Sequence, residues 1–588
     1  MMPNRILRQL RVRYLWGSAV GVSYCFLFLL IAAVSVFARF YRIDAVGFDG
    51  SDTIYYYSIA REWASGNYVY SIADGINVFR PTVHLIFSLA HQLFGPTDYA
   101  IKVVNSTVDV ANLMLVVTLG FLVSRRWPVA LASGLTYGLL PMAVVLARIE
   151  LAHVISTFFV LASAVSLLLA RQFVNSKLTL VALGTSGMLL AAAVLSHEEL
   201  VFLCPAFALF LPSFSLWGPR FKQSKQFLLE LIALLSPSFI VVATVTLSRP
   251  DLLVPLVRNG GVAITSEILA TSERFGRFTW DALVVSSSVA LAGLFLFAMG
   301  FAGRVCIRAL ARERAIPPVE PGAYLGIAAV CCFLGLYSIF FSTFFARLFL
   351  PLMPFVIVSA FTWLDLMLRR YDTKMSGVAV LLVCALAIPF QLGEYWFPQY
   401  IGREYANTWV SPRLPTPTTI RGAWRRFRVK YQEHPARTIY DALKDQVSPD
   451  ARVLVTPSIV YPYAGRRVLQ TEAYFGDNAI YVIDHDEPLN ELVEKYRIRF
   501  ILYYRFEWDH RSLSLKQIGP YEYDGKWGAQ RSLVHGASYG FRLGEYTLNR
   551  EITALTDYAN SRRGRVLDEF PERLGWILDL LGERERSD

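Results

Sequence analysis

The chain has 588 residues, of which 54% are hydrophobic and 18% are charged, and its mean hydropathy is +0.41. Soluble domains carry about 45–50% apolar and about 25% charged residues, so this composition excludes a disordered chain and favours a membrane protein. The formal net charge of +11 does not indicate nucleic-acid binding, because the basic residues lie in short runs between apolar stretches.

Eleven apolar stretches predict transmembrane helices, each of which needs about 20 residues. They lie near 18–38, 103–123, 129–146, 153–170, 178–196, 200–217, 227–247, 281–302, 323–343, 348–367 and 375–393. The first stretch follows a basic start and is longer than the apolar core of a signal peptide, so we expect it to be a retained anchor.

The distribution of basic residues predicts the orientation. With the N-terminus inside, the inner segments hold 18 Lys and Arg in 52 residues, whereas the outer segments up to 350 hold 11 in 113. Basic residues are enriched in cytoplasmic loops. An odd number of spans then places the N-terminus in the cytoplasm and everything after about 394 outside.

Two outer segments are large. Residues 39–102, the first outer loop, contain amphipathic stretches around 53–65 and 82–94, for which we expect helices at the membrane interface. Residues 394–430 have the composition of a linker. Within 431–588, the β-branched and aromatic runs at 452–457 and 498–504 predict buried strands, and helical patterns near 435–447 and 488–496 precede them. The sequence therefore predicts a transmembrane domain over 1–393 and a C-terminal extracytoplasmic α/β domain.

Polar and ionisable residues gather at the predicted outer ends of the spans. Such residues are costly in or beside a membrane and often mark a functional site. They lie in four separate turns: Asp49 and Asp52; Arg148, Glu150 and His153; His197, Glu198 and Glu199; and Arg347. Each one alone could be an ordinary loop residue, but the turns at 148–153 and 197–199 are short for so many titratable groups. Asp109 lies well inside a span, seven residues after Lys102, and we expect it to form a structural hydrogen bond or a pair with Lys102.

Three stretches, at 48–70, 80–95 and 347–354, contain acidic, aromatic, basic and proline residues in an order that resembles one family. It is the GT-C superfamily of polyprenyl-phosphate-sugar-dependent glycosyltransferases, above all its protein O-mannosyltransferases and aminoarabinose transferases. Residues 48–70, FDGSDTIYYYSIAREWASGNYVY, resemble the family's first outer loop, and Asp52 matches its leading aspartate. The segment from Arg80-Pro81-Thr82 to Phe94-Gly95 resembles the basic-Pro-Pro segment and its amphipathic helix. RLFLPLMP at 347–354 resembles the late Arg–Pro–Pro motif. Thr53 stands where the family has a second acidic residue.

The resemblance implies transfer of a sugar from a lipid phosphate to a hydroxyl group. Such a reaction needs a base for the acceptor proton, for which the hypothesis is Asp52 with Asp49 in support. It also needs cations for the departing phosphate, for which Arg347 is the first candidate and Arg80 and Arg148 are secondary. Glu150, His153, His197 and Glu198 are predicted to complete the substrate site. A single displacement would invert the anomeric centre.

The resemblance also implies the partners and the location. The donor would be a polyprenyl-phosphate-linked sugar, the acceptor an extracytoplasmic glycan, lipid or protein, and the location the bacterial inner membrane. No cofactor is expected to be required, and the alternative is a divalent cation held by Asp49 and Asp52.

Two other functions stay open. A transporter or channel could use the same carboxylates, although transporters bind near the midplane and contain repeats, whereas these spans are nearly free of charge and show no repeat. An asparagine-directed oligosaccharyltransferase is less favoured, because the tail lacks the Trp-Trp-Asp signature.

Overall fold

A computed structural model describes two compact units of the chain. The first comprises Met1–Ile43, Tyr56–Phe397 and Val410–Phe427, and the second comprises Asp44–Tyr55, Pro398–Trp409 and Arg428–Asp588. Within them, the described residues are 19–41, 43, 51–68, 71–72, 76–77, 80–95, 98–173, 175–212, 224–248, 289–310, 322–340, 346–369, 371–394, 447–448, 450–459, 478–481, 489–506, 530–531, 538–539, 565–569 and 575–579.

The first unit is built from α-helices. Long apolar segments form helices because helix formation satisfies every backbone polar group without water. In chain order the helices are α1 (Ala19–Phe40), α2 (Ser51–Ala64), α3 (Pro81–Phe94), α4 (Asp98–Ser124), α5 (Trp127–Gly138), α6 (Pro141–Ala147), α7 (His153–Ala170), α8 (Ser176–Ser196), α9 (Cys204–Ala208), α10 (Ser224–Ser248), α11 (Val289–Leu310), α12 (Gly322–Phe340), α13 (Met353–Leu368) and α14 (Thr373–Glu394). Two 3₁₀ helices, Glu198–Leu203 and Ala346–Leu352, precede α9 and α13, and the short strands β1 (Ser71–Ile72) and β2 (Ile76–Asn77) pair between α2 and α3.

Six helices in the described part of the chain are long and apolar enough to cross a bilayer. They cover Val22–Phe40, Tyr99–Ser124, His153–Ala170, Ser176–Ser196, Gly322–Ile339 and Leu348–Leu368, and each coincides with a predicted span. Helices α5 and α6 add a seventh if this pair, bent by 56°, is one span. The bend falls before Pro141, whose ring cannot continue the preceding helix.

The predicted count of eleven spans is not confirmed by the described residues. Shorter apolar helices, Gln226–Val241, Leu291–Val305 and Met375–Ile388, occupy three of the other positions. The described part of the predicted span at 200–217 is not one helix. It consists of the end of a 3₁₀ helix and the five-residue α9, because Pro205 interrupts the backbone hydrogen bonding.

Helix α13 lies at the centre of the first unit. The apolar window of its span is wholly buried, and it packs against α4, α5, α11, α12 and α14. The indole of Trp363 donates a hydrogen bond to the Ala323 carbonyl of α12 over 3.0 Å. At its C-terminal end, Arg369 Nε donates to Asp365 over 2.7 Å, and Arg126 before α5 lies 3.4 Å from the same carboxylate. These contacts fix α13 against its neighbours at one end.

The amphipathic stretches of the first outer loop form helices, as predicted, in α2 and α3. The two helices pack through rings: His84 of α3 lies 5.8 Å from Tyr56, and His91 lies 5.0 Å from Tyr57, between ring centroids. The opposite face of α3 is apolar and exposed, and carries Leu85, Leu89, Leu93 and Phe94. Burial of that face in the membrane interface stays a prediction.

The second unit contains a five-stranded sheet in the order β4-β3-β5-β9-β8. Its strands are β3 (Val453–Ile459), β4 (Ala479–Tyr481), β5 (Phe500–Phe506), β8 (Arg565–Glu569) and β9 (Gly575–Asp579). Strand β3 is parallel to β4 and β5, whereas β9 is antiparallel to β5 and β8. A separate pair, β6 (Gln530–Arg531) and β7 (Ser538–Tyr539), is antiparallel.

The strands predicted at 452–457 and 498–504 are confirmed as β3 and β5, whose apolar side chains, including Leu454 and Ile501, are buried. The helix predicted near 488–496 is confirmed as α15 (Leu489–Tyr496). The linker at 394–430 and the helix near 435–447 lie almost wholly outside the described residues. The complete α/β domain therefore stays a prediction.

Candidate functional site

Several predicted site residues lie where helix ends and turns meet at one end of the first unit. Arg148 ends α6 and donates from Nη1 to the Ala38 carbonyl near the end of α1, over 3.0 Å. Asn105, near the start of α4, donates to the carbonyls of Ile149 and Leu151 over 2.7 and 3.1 Å. The turn at 148–153 is thus held against α1 and α4. We call this end of the first unit the site end.

Arg80, Glu198 and Tyr56 form the accessible part of the site end. Arg80 immediately precedes α3, because Pro81 occupies the first helical position. Its Nε lies 3.5 Å from the Glu198 carboxylate, and its Nη1 donates to the Tyr56 hydroxyl. The Arg80 and Glu198 side chains are 19% and 41% exposed, so a ligand could reach both. Residues more than a hundred positions apart in the chain are therefore brought together.

His197 and Glu199 form a buried pair beside them. His197 ends α8, and the chain turns there into the Glu198–Leu203 3₁₀ helix, which returns the Glu199 carboxylate to the ring. Nδ1 of His197 is hydrogen-bonded to Oε2 of Glu199. The His153 ring of α7 lies 5.1 Å from the His197 ring, between centroids. Two predicted residues, His153 and His197, are thus neighbours.

The Glu199 carboxyl has a perturbed pKa. Burial by itself would raise this pKa, but the charge of His197, the hydrogen bond with His197 and the charge of Arg80 together lower it to about 2. Glu199 is therefore ionised at neutral pH.

Glu150 and Arg148 lie deeper than the rest of the site end. Both are fully buried, and Lys102 Nζ lies 3.2 Å from Glu150 Oε1. Lys102 thus pairs with Glu150, whereas the sequence had left a pair with Asp109 as one of two alternatives for that carboxylate. Asp109 is held instead by Arg39 of α1, whose Nε donates to Oδ2 over 2.7 Å. The expectation of a structural hydrogen bond at Asp109 is confirmed.

Three predicted residues stay without a described side chain. Asp52 is the second residue of α2, and Arg347 lies in the Ala346–Leu352 3₁₀ helix, but only their backbone is described. Asp49 lies outside the described residues. Their roles are therefore predictions.

Two residues of the site end were not predicted. Glu199 lies in the predicted turn but not in the predicted site, and the 3₁₀ helix brings its carboxylate to His197. The contact of Tyr56 with Arg80 depends on the packing of α2 and α3, which the sequence does not show. The position of Glu199 in the same predicted turn as His197 was the one feature of the sequence that could have placed it in the site.

His197, Glu198 and Glu199 could also supply ligands to a metal ion. One ligand atom from each lies within 4.8 Å of the others, and imidazole with carboxylates is a set that zinc accepts. However, each of these groups already contacts another side chain: Glu199 contacts His197, and Glu198 contacts Arg80.

The chain is similar to several solved structures at low sequence identity. The crystal structure of ArnT from Cupriavidus metallidurans in the apo state matches with 15% identity and a TM-score of 0.47, over 84% of this chain and 94% of that chain. The same protein bound to undecaprenyl phosphate matches with 14% identity and a TM-score of 0.48, over 84% and 95%. The Archaeoglobus fulgidus oligosaccharyltransferase in the apo form matches with 13% identity and a TM-score of 0.43, over 82% and 69%.

No protein-family model matches the chain, and a search of curated proteins finds no match.

Proposed function

We propose that the chain is an integral-membrane glycosyltransferase. It transfers a sugar from a polyprenyl-phosphate donor to a hydroxyl of an extracytoplasmic glycan, lipid or protein. The observation that carries this proposal is the convergence, at the site end, of Arg80, Glu198, His197, Glu199 and His153 from three separate parts of the chain. Buried carboxylates with basic partners, beside an accessible arginine, suit a reaction that moves a proton and binds a phosphate.

In this proposal Asp52 is the base that takes the acceptor proton, with Asp49 in support. Arg347 and Arg80 bind the departing phosphate, a task for which the guanidinium fork is suited, and Arg148 is the secondary candidate. Glu150, His153, His197 and Glu198 complete the substrate site. A single displacement at the anomeric carbon gives inversion.

The described spans support an enzyme rather than a transporter. Asp109 lies inside a span, but its carboxylate accepts hydrogen bonds from Arg39, Asn112 and Tyr137. A carboxylate in so complete a network has a structural role, whereas a transport site must exchange its partners during each cycle.

The proposed location is the bacterial inner membrane, with the N-terminus in the cytoplasm and the C-terminal domain outside. The proposed partners are the bilayer, the lipid-phosphate donor and the acceptor. No nucleic acid and no resident metal are required, and the activity is expected to survive a chelator.

The test is sugar transfer in membranes that contain the overexpressed protein. Undecaprenyl phosphates carrying radiolabelled pentoses or hexoses are supplied one at a time, and transfer to any membrane or periplasmic fraction is measured. We expect transfer that depends on the wild-type protein and is lost with Asp52→Asn. Ion or solute flux in reconstituted vesicles without sugar transfer would contradict the proposal.

A further inference from the structure

The ion pair between Arg80 and Glu198 occupies a guanidinium to which the proposed function assigns the donor phosphate. Arg80 Nε lies 3.5 Å from Glu198 Oε2, and the two side chains are 19% and 41% exposed. A carboxylate and a phosphate both present anionic oxygen acceptors to the donors of a guanidinium. At Arg80 the Glu198 carboxylate is therefore a competitor of the phosphate.

The contact between these two side chains is of a kind that opens easily. An ion pair in contact with water contributes little to stability, because solvent screens the charges and two long side chains lose freedom. The Glu198 carboxylate can therefore turn into solvent, where water replaces the lost contact. The next residue differs, because the Glu199 side chain is nine-tenths buried and is hydrogen-bonded to His197.

Arg80 is also held by a residue other than Glu198. Its Nη1 donates a hydrogen bond to the Tyr56 hydroxyl, and its guanidinium carbon lies 5.7 Å from the centroid of the Tyr56 ring. Tyr56 is buried, and its ring packs on those of His84 and Phe87 of α3. The guanidinium thus keeps an anchor on α2 when the Glu198 carboxylate turns away.

The electrostatics of the site end require that one carboxylate moves when a phosphate binds. The charge of Arg80 lowers the pKa of Glu199, so a second carboxylate already lies within electrostatic reach of this guanidinium. A phosphate beside Arg80 would be repelled by both Glu198 and Glu199. Glu199 is fixed by His197, and Glu198 is the carboxylate with access to solvent.

We propose that Glu198 is an exchangeable counter-ion of Arg80, which the phosphate of the polyprenyl lipid displaces when it binds. This inference rests on the proposed function and deepens it, because it gives Glu198 control over the affinity for the lipid phosphate. Arg80 exchanges one anionic partner for another and is never left without a counter-charge. After sugar transfer the returning Glu198 carboxylate competes with the polyprenyl phosphate and favours its release.

Other roles of Glu198 predict the opposite sign. If Glu198 bound the lipid phosphate through a metal ion shared with His197 and Glu199, its removal would weaken lipid binding. If Glu198 only held Arg80 in place for the phosphate, its removal would also weaken binding. An exchangeable counter-ion is distinguished from both, because its removal strengthens binding.

The experiment measures the Kd of undecaprenyl phosphate for the purified full-length protein in detergent. The variants are Glu198→Gln, Arg80→Gln and the double variant. The matched control is Glu62→Gln, because Glu62 is 39% exposed and lies 4.0 Å from Arg61. A parallel series uses undecaprenol, which has the same chain without the phosphate.

We expect Glu198→Gln to bind undecaprenyl phosphate about three- to tenfold more tightly than the wild type, because the phosphate no longer displaces a counter-ion or meets its charge. Arg80→Gln should bind about tenfold more weakly, the effect of a lost hydrogen bond between charged groups. In the Arg80→Gln background, Glu198→Gln should change the Kd by less than about twofold, because the two side chains act as one pair. Glu62→Gln should match the wild type, and no variant should alter binding of undecaprenol.

Unchanged or weaker binding by Glu198→Gln would overturn the inference and leave the proposed function standing. A gain that persists at full size in the Arg80→Gln background would also overturn it, because Glu198 would then repel the lipid without exchanging at Arg80. If the wild-type protein does not bind undecaprenyl phosphate at all, the proposed function fails together with this inference. Should Glu198→Gln not fold, Glu198→Ala removes the same charge and carries the same expectation.

Discussion

Arg39 and Asp109 form an ion pair that is wholly buried between α1 and α4. Arg39 Nε donates to Oδ2 of Asp109 over 2.7 Å, and Nη1 donates to the Gly138 carbonyl of α5 over 3.0 Å. The other carboxylate oxygen accepts from the Tyr137 hydroxyl over 2.5 Å. Three helices are therefore joined through one carboxylate, and the strength of this junction can be measured.

Asp109→Asn should destabilise the protein by about 3–5 kcal/mol, because it leaves the Arg39 guanidinium buried without a counter-charge. Tyr137→Phe removes a single hydrogen bond to a charged group and should cost about 1.5–3 kcal/mol. Replacing both charges, with Arg39→Met and Asp109→Leu, should recover most of the stability. Thermal unfolding in detergent measures all three, and equal stability of the wild type and Asp109→Asn would contradict the importance of this pair.

Gly187→Ala tests the close packing of α8 on α10. A Cβ at this position would lie 2.1 Å from the Leu234 carbonyl oxygen, so the two helices would have to separate. We expect a loss of about 1–3 kcal/mol in thermal unfolding. Gly184→Ala on the same helix is the matched control. Its Cβ would meet nothing within 4 Å, and alanine is the better helix former, so stability should be unchanged or improved.

Asp52→Asn should lower turnover by about 10²–10⁴-fold, the range for loss of a general base. The amide keeps the shape of the side chain but cannot accept a proton at neutral pH. Asp49→Asn should cost less if Asp49 only supports Asp52, and as much if the two hold a cation. Initial rates of sugar transfer, with and without chelator, separate these cases. Near-wild-type rates for Asp52→Asn would move the search for the base to Glu150, His153 or Glu198.

Arg347→Ala should weaken use of the lipid-phosphate donor by about 1.5–3 kcal/mol, the value of a hydrogen bond to a charged group. Arg347→Lys should restore only part of the loss, because lysine keeps the charge without the planar fork of donors. The measurement is donor saturation at fixed acceptor. A wild-type donor KM in the alanine variant would exclude Arg347 from the phosphate site.

The orientation can be tested with two introduced cysteines. Asp450 is exposed in the second unit, and Tyr371, between α13 and α14, is 87% exposed. In intact cells an impermeant maleimide should label Asp450→Cys from outside, whereas Tyr371→Cys should react only after the inner membrane is opened. The reverse pattern would place the predicted outer segments in the cytoplasm.

The sequence predicted helices and strands, whose residue pattern lies within one segment. It did not predict which side chains from different helices form ion pairs. The apolar runs located the long spans, and the β-branched runs located β3 and β5, because period and composition are properties of one segment. The sequence left a pair between Lys102 and Asp109 as one alternative, because a spacing of seven residues places both on the same helical face. That spacing does not reveal that Asp109 pairs with Arg39 and Lys102 with Glu150. Ion pairs between helices depend on how each helix is rotated about its axis and how far it is shifted along its neighbours. Neither quantity can be read from a single sequence.

The candidate site shows the same division. The grouping of His153, His197 and Glu198 at one end was predicted from the alternation of spans, whereas Arg80 was a candidate only through the resemblance. The pairing of His197 with Glu199 did not, since it depends on a turn of 3₁₀ helix directly after α8. Pro205 and Pro351 lie in short or 3₁₀ helices next to this end. Hydropathy does not reveal such interruptions of a span, whereas the prolines indicate them.

The complete enclosure of α13 has a consequence for biogenesis. This helix belongs to the penultimate apolar segment before the tail, yet its apolar window is wholly surrounded by protein. In a nascent chain that ends before α13, the surfaces of α4, α5, α11 and α12 that pack against α13 would be uncovered. Lipid would have to cover them. The earlier helices can therefore insert one by one, but their final arrangement waits until α13 has left the ribosome. Premature termination after α12 should yield a species that membrane proteases recognise and remove.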